Sequence, residues 1–195
     1  MQDKQRFDDA IARMDEANAA DPRTDRIDGK SHPRELLFAQ RVYRWLPKLV
    51  DDPTEALLLA ARGHTLRRWE IPRDRYSMDN IGYHEWRDVL AAFHADQAAA
   101  ILQDVGYGAP FIDRVRRLIT RADFPDEHDA RVLEDADCLV FLETKLHNYL
   151  DEWGQNKAVR ILKKTLKKMT PKAQELAAKL ELPPQSAELL RLAVS

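Results

Sequence analysis

Apolar residues recur at helical spacing along almost the whole chain. Phe7, Ile11 and Met14 mark one face of a predicted helix over residues 3–19. Ala20-Asp-Pro-Arg-Thr then reads as a turn, and residues 22–30 as a polar loop. Leu36, Leu37, Val42, Tyr43, Leu46 and Leu49 make 33–50 an amphipathic helix, with Pro33 in its first turn and a bend expected at Pro47. A third helix is expected to open with Asp52 as N-cap, Pro53 at N1 and Glu55 at N3. Its body, Ala56-Leu-Leu-Leu-Ala-Ala, is apolar on every face, so it belongs at the centre. That helix runs into Arg62-Gly-His-Thr-Leu-Arg-Arg-Trp and so delivers His64 from the core towards a surface or cleft.

Residues 71–80 lack a helical period and read as a loop of functional length. Asp79 or Asn80 caps the next helix, which runs through Trp86, Leu90, Phe93 and His94 to about residue 105. Gly106-Tyr-Gly-Ala-Pro ends it and starts another, with Phe111, Ile112, Val115, Leu118 and Ile119 as the buried stripe. An acidic link over 123–129 leads to a second strongly apolar helix over 133–150. After Gly154 a helix carries Val159, Ile161, Leu162, Leu166 and Met169, and two weaker helices flank Pro183-Pro184. No strand pattern competes. The expected fold class is therefore all-α: one domain over 1–195, seven to nine helices, no sheet beyond a stray bridge, and a core centred on 56–61 and 139–142. Residues 155–195 form a basic C-terminal helical extension.

Composition narrows the function classes. Hydrophobic residues make up 44% of the 195 and charged residues 33%, enough apolar content for a real core. A net charge of −2 argues against a chain-wide basic surface and hence against nucleic acid as the partner. A lone Cys138 cannot make an internal disulfide, no apolar run approaches a membrane span, and Met1-Gln-Asp-Lys-Gln-Arg-Phe lacks a signal-peptide core. A cytoplasmic protein with no membrane partner is expected.

Glycine-rich phosphate loops, CxxC pairs and HExxH are missing from the sequence. Cys138 lies inside Asp137-Cys-Leu-Val-Phe-Leu, where an inert buried thiol is expected. The remaining candidates are His32, His64, His94, Asp135 and Asp137, at the ends or sides of apolar helices. Imidazoles and carboxylates together suit a divalent ion, although a single histidine beside a core helix is more often structural. Asp135 and Asp137 diverge by about 200° around a helix, so only one can face a given side. Arg62, Arg67, Arg68, Arg73 and Arg75 place five guanidinium groups within fourteen residues around His64. These either grip phosphate or pair with Glu70, Asp74 and Glu85 to hold the loop. Trp69 and Trp86 read as core anchors or as stacking platforms. Lys163-Lys-Thr-Leu-Lys-Lys, with Lys157, Arg160 and Lys172, makes a basic face that can be solvated, can pack across the acidic segment 123–152, or, as the weakest of the functional readings, can contact RNA or a membrane.

The order of these features resembles the HD-domain superfamily. Leu57-Leu-Leu-Ala-Ala-Arg-Gly-His64 is similar to its apolar helix ending in a His-Asp pair. His94-Ala-Asp-Gln-Ala-Ala-Ala-Ile-Leu-Gln-Asp-Val-Gly, Phe111-Ile-Asp-Arg-Val-Arg-Arg-Leu-Ile and Val132-Leu-Glu-Asp-Ala-Asp-Cys-Leu are similar to its later helices, the last of which supplies an Asp ligand. The likeness spans 32–150, an HD-like core, and departs at Thr65, where the superfamily has the Asp of the pair. Glu35 stands at the place of the first ligand, one turn from His32. More narrowly, Arg67-Arg-Trp-Glu-Ile-Pro-Arg, Tyr83-His-Glu-Trp-Arg and Leu133-Glu-Asp-Ala-Asp-Cys-Leu-Val-Phe-Leu-Glu resemble a bacterial family known as domain of unknown function 4202.

The resemblance implies a divergent metal-assisted phosphohydrolase for a small phosphorylated, nucleotide-like substrate. His64, His94 and Asp135 or Asp137, with His32 or Glu35, would hold one divalent ion (Mn, Fe, Zn, Ni or Mg). His64 and Asp135 would be catalytic, and Arg67, Arg68, Arg73 and Trp69 would hold the substrate. The alternative is a non-catalytic anion- or nucleotide-binding module that lost hydrolysis with Thr65.

Overall fold

The computed structural model describes residues 2–27 and 29–194, with the backbone alone for residue 2 and for 147–153. The chain order is α1 (Gln2–Ala19), β1 (Thr24–Ile27), β2 (Lys30–Pro33), α2 (Arg34–Leu49), α3 (Glu55–Gly63), α4 (Asn80–Asp104), α5 (Ala109–Thr120), α6 (His128–Thr144), α7 (Leu146–Lys168), α8 (Pro171–Ala177) and α9 (Pro184–Val194). Helix α7 is broken at Gly154 (φ 70°, ψ 161°), so the described residues form ten helices, more than the seven to nine expected.

Helix α3 is central, as its apolar composition requires. Leu57, Leu59, Ala60 and Ala61 are fully buried, and α1, α2, α4, α5 and α6 pack around them. On the second apolar helix, Leu139 and Val140 are likewise fully buried. The α3 N-cap is Thr54 rather than Asp52: its side chain accepts the Leu57 N–H, and the helix begins two residues later than expected. At the other end Gly63 permits close packing, since a Cβ there would meet Ala98 Cβ at 3.2 Å and Ile119 Cδ1 at 3.3 Å. Asp79 caps α4 by accepting the Gly82 N–H at 2.8 Å. Gly82 is needed because a Cβ would lie 2.7 Å from Ser77 N, where the preceding loop folds back on the first turn. That loop contains two short 3-10 turns, Arg68–Glu70 and Arg73–Arg75.

The polar segment expected as a loop is instead an antiparallel hairpin, β1 with β2, in the register Thr24↔Pro33, Asp25↔His32, Arg26↔Ser31 and Ile27↔Lys30. Residue 28 of that segment lies outside the described residues, and Gly29 has φ +77°. Asp28-Gly29 was the sequence signal for the turn. The strands are only four residues each, too short to show an alternating apolar pattern. Helix α6 ends at Thr144, before the predicted 150. Among the described residues no helix is long and apolar enough to cross a membrane.

Candidate functional site

The C-terminal end of α3 builds the site. A helix end leaves its last carbonyls without intrahelical donors. His64, the C-cap, answers one of them: its Nδ1 lies 3.0 Å from the Ala61 carbonyl. His94 on α4 does the same for the turn after α3, with Nδ1 2.7 Å from the Leu66 carbonyl. A carbonyl only accepts, so Nδ1 carries the proton in both rings. Both Nε2 atoms are buried and have no hydrogen-bond partner among the described residues. Burial and then the Arg68 charge push His94 down to about 3, so its ring stays neutral and Nε2 keeps its lone pair.

Helix α6 supplies the acid. Asp137 Oδ1 lies 3.4 Å from His64 Nε2, an ion-pair distance without hydrogen-bond alignment, and Oδ2 accepts from Arg121 at 3.0 Å. Burial would raise this carboxyl, but His64 and the Arg121 charge hold it below the usual carboxylate range. Arg121 is itself shared with Glu134, 2.5 Å away. Asp135 is not at the site. It faces the opposite side of α6, where its carboxylate accepts from Thr170 N at 3.0 Å and Thr170 Oγ1 at 2.5 Å. Two positions are about 200° of helix, and that geometry removes Asp135 from the candidate metal ligands and catalytic residues.

The arginine cluster divides in the same way. Arg62 pairs with Asp15 and lies 5.4 Å from the Tyr43 ring, turned towards α1. Arg67 takes a left-handed backbone (φ 51°), donates its N–H to Asn18 Oδ1 and leaves its exposed side chain 3.6 Å from Glu70. Arg73 donates to the Tyr76 and Asp79 carbonyls, and Arg75 to the Glu70 carbonyl. These three contact the loop and its flanks. Arg68 alone turns to the histidines. It lies 4.8 Å over the Trp86 ring, a cation–π contact, while Trp86 Nε1 donates to the Ile71 carbonyl. Trp69 is half-buried on the 3-10 turn, and Trp86 is the aromatic that carries the arginine.

Arg87 was missed in the sequence. Its charge acts on Asp137, His94 and Arg68. The signal was its spacing: Arg87 stands seven residues before His94, two turns along one face of α4. Burial and Arg87 press Arg68 below its ordinary value, against the pull of Glu35 and Asp137. Buried Glu35 accepts from Arg23 at 2.8 Å; burial raises it, and the Arg68 and Arg23 charges pull it down. His32 lies on β2 opposite Asp25, and the Thr65 hydroxyl is buried without a described partner. Cys138 is buried, and burial with Glu134 and Asp137 pushes its thiol up, as suits an unreactive group.

The donor chemistry, two imidazole nitrogens and one carboxylate, suits a divalent ion. Among the described residues no three or more His, Cys, Asp or Glu side chains are grouped as a metal site. What gathers at this end of α3 is cationic and neutral nitrogen around the engaged Asp137 carboxylate.

Neither a curated protein nor a solved structure matches the chain. A family model does match, over residues 8–190, nearly the full length and with every residue of this site inside it. The chain belongs to the family described as "Domain of unknown function (DUF4202)".

Proposed function

We propose that the half-exposed group of Arg68, Arg87 and Asp137, where α3, α4 and α6 come together, binds a small phosphorylated, nucleotide-like molecule. One observation carries this reading: Arg68 and Arg87 converge there, and no carboxylate among the described residues lies within ion-pair distance of either. Glu35 and Asp137 offset part of the repulsion between these two half-buried guanidinium groups from beyond ion-pair distance, and an anion seated between them would complete the balance. A phosphate matches their planar donor geometry, and the Trp86 face fixes Arg68 for it. The neutral Nε2 of His94 has no described hydrogen-bond partner and can accept from a ligand hydroxyl, and the unpartnered Thr65 hydroxyl can donate to a phosphate oxygen.

A second reading is hydrolysis of that ligand by a divergent HD-type, metal-assisted phosphohydrolase. It is favoured by the two imidazole rings, each oriented through Nδ1 by a backbone carbonyl as metal-bound histidines are, with the His94 ring kept neutral. Thr65 at the expected aspartate favours binding alone. The test incubates the protein with inorganic phosphate and a panel of nucleoside phosphates, with and without Mn²⁺, following melting temperature and phosphate release together. Melting shifts without release support the binding module. Release that needs Mn²⁺ and disappears in His64→Ala supports the hydrolase. No shift with any phosphorylated ligand overturns both.

A further inference from the structure

We propose that the C-terminal half of α7 is a docking surface for the phosphate backbone of duplex nucleic acid, separate from the α3–α4–α6 site. Although the whole chain has a net charge of −2, residues 153–174 contain seven Lys or Arg and no Asp or Glu. The ordinary explanation for such a run is that it packs across the acidic segment 123–152. The structure shows little of that. Lys168 reaches the acidic segment, with Nζ 3.3 Å from Glu134, and Lys157 at the start of the run is also engaged. The side chains of Asp151 and Glu152 lie outside the described residues.

Arg160, Lys163, Lys164 and Lys167 are exposed, and none makes an ion pair among the described residues. At about 100° per residue these four fall within an arc of roughly 100°, and they span about 10 Å of helix axis. On the opposite face Ala158 is 2% exposed, Leu162 0%, Leu166 9% and Met169 4%, packed on α9 and the core. That burial decides between two polyanions. A membrane-surface helix must lay an apolar face into the lipid, and here that face is already used. The basic arc can act only through charge. None of the described exposed large hydrophobic residues lies on it, so stacking with unpaired bases adds nothing and a charged backbone is what remains. Duplex DNA carries one charge per about 1.7 Å of axis, so a 10 Å contact meets more than enough phosphates for four cations. Binding of this kind is independent of base sequence.

The experiment uses the full chain and a fluorescent 20-base-pair duplex, as DNA and as RNA, with anisotropy read across 50–200 mM salt. Four phosphate contacts predict a log–log slope of about −3.6 and a loss of roughly 100-fold across that range. Lys163→Glu with Lys164→Glu and Lys167→Glu should weaken binding at least tenfold at 50 mM salt. The milder triple glutamine variant, with its fold checked by circular dichroism, should flatten the slope by about 2.7. Arg68→Ala with Arg87→Ala should leave duplex binding unchanged. The proposal is overturned by a slope near zero, by lysine variants that bind as the wild type does, or by stronger capture on anionic phospholipid vesicles than on duplex.

Discussion

Helix α6 carries two charge clusters built on opposite plans. At its N-terminal end Arg114 donates to Glu127 Oε1 at 2.5 Å and Asp129 Oδ2 at 3.1 Å. Thr54 Oγ1 donates to the same Asp129 oxygen at 2.6 Å, and the Ala130 N–H reaches Glu127 Oε2 at 2.7 Å. This cluster joins the α3 N-cap to the start of α6 and answers its charges internally. About two turns further along, Asp137 faces His64, Arg121 and the arginines of the site. There two imidazole nitrogens and a hydroxyl lack a described hydrogen-bond partner, and Arg68 and Arg87 have no described carboxylate at ion-pair distance. The same residue types serve both places. What separates them is whether their bonding capacity is used up, and leaving buried polar groups unanswered is tolerated mainly where a ligand completes them.

The closed cluster should therefore matter for stability and the open one for binding. Asp129→Ala removes the acceptor of Thr54 and Arg114 at a site where the aspartate side chain is only 8% exposed. It is expected to cost about 3 kcal/mol, or roughly 6–12 °C in melting temperature for a chain of this size, and to leave phosphate-ligand shifts intact. Chemical denaturation with and without ligand checks it. If Asp129→Ala instead erases ligand binding in protein that is still folded, the two regions are not separable.

Arg68→Met is the converse. It should weaken phosphate-ligand affinity by roughly 30-fold, about 2 kcal/mol, measured by calorimetric titration. Thermal stability should hold or rise by up to about 1 kcal/mol, since a half-buried guanidinium beside Arg87 with no carboxylate at ion-pair distance is a burden in the empty protein. A large loss of stability would mean that Arg68 belongs to the closed kind of cluster after all.

Much of the frame was legible in the sequence because it rests on periodicity. The fully apolar Ala56–Ala61 stretch could only be central, and Asp79 was readable as a cap by its position before an amphipathic run. The hairpin was not legible, because four-residue strands with polar sequences leave no alternation to detect. The site was half legible. His64 and His94 stand out at a helix end and a helix side, whereas spacing leaves Asp135 and Asp137 open, since it shows only that the two diverge. The arginines misled because five neighbours in sequence were treated as neighbours in space. Arg62 lies on the helix face towards α1, Arg67 turns at a left-handed residue, and Arg73 and Arg75 bond loop carbonyls. Only Arg68, one turn beyond His64, shares its direction, and its companion Arg87 comes from a different helix.

Acid should expose the difference between the clusters. In the folded chain His94 is pushed down to about 3 from an ordinary value of 6.5. Between those values the unfolded chain takes up a proton and the folded chain does not, so stability falls as pH drops from about 6.5 towards 3. Asp137, held low, acts in the same direction but only below its ordinary value of 3.8. Glu35 and Asp135, both raised, act oppositely as they protonate in the fold. The contribution of His94 is isolated by comparison with His94→Gln. The wild type should lose up to about 1.4 kcal/mol per pH unit more than the variant across pH 6 to 4. Equal slopes for the two proteins would mean that His94 is solvated, and with it the neutral Nε2 of the site would be lost.

The finest test compares two aspartates two residues apart on α6. Asp135 accepts the Thr170 N–H and hydroxyl, and the same hydroxyl receives the Ala173 N–H at 3.3 Å to start α8. Its carboxyl is raised by burial, so the fold gains little from its charge and uses it as a hydrogen-bond acceptor. Asparagine keeps one such acceptor. Asp135→Asn should thus change stability by no more than about 1 kcal/mol and leave ligand shifts untouched, the smallest effect in the set. Asp137→Asn keeps the shape of the side chain but removes the charge that faces His64 and Arg121, two groups with no other described acid between them except Glu134. It should alter phosphate-ligand binding by severalfold, tightening it if the carboxylate only repels the anion. Parallel melting curves and titrations of the two asparagine variants decide the matter. Matching behaviour would mean that α6 does not divide into a structural side and a ligand side, and the site would lose its acid wall.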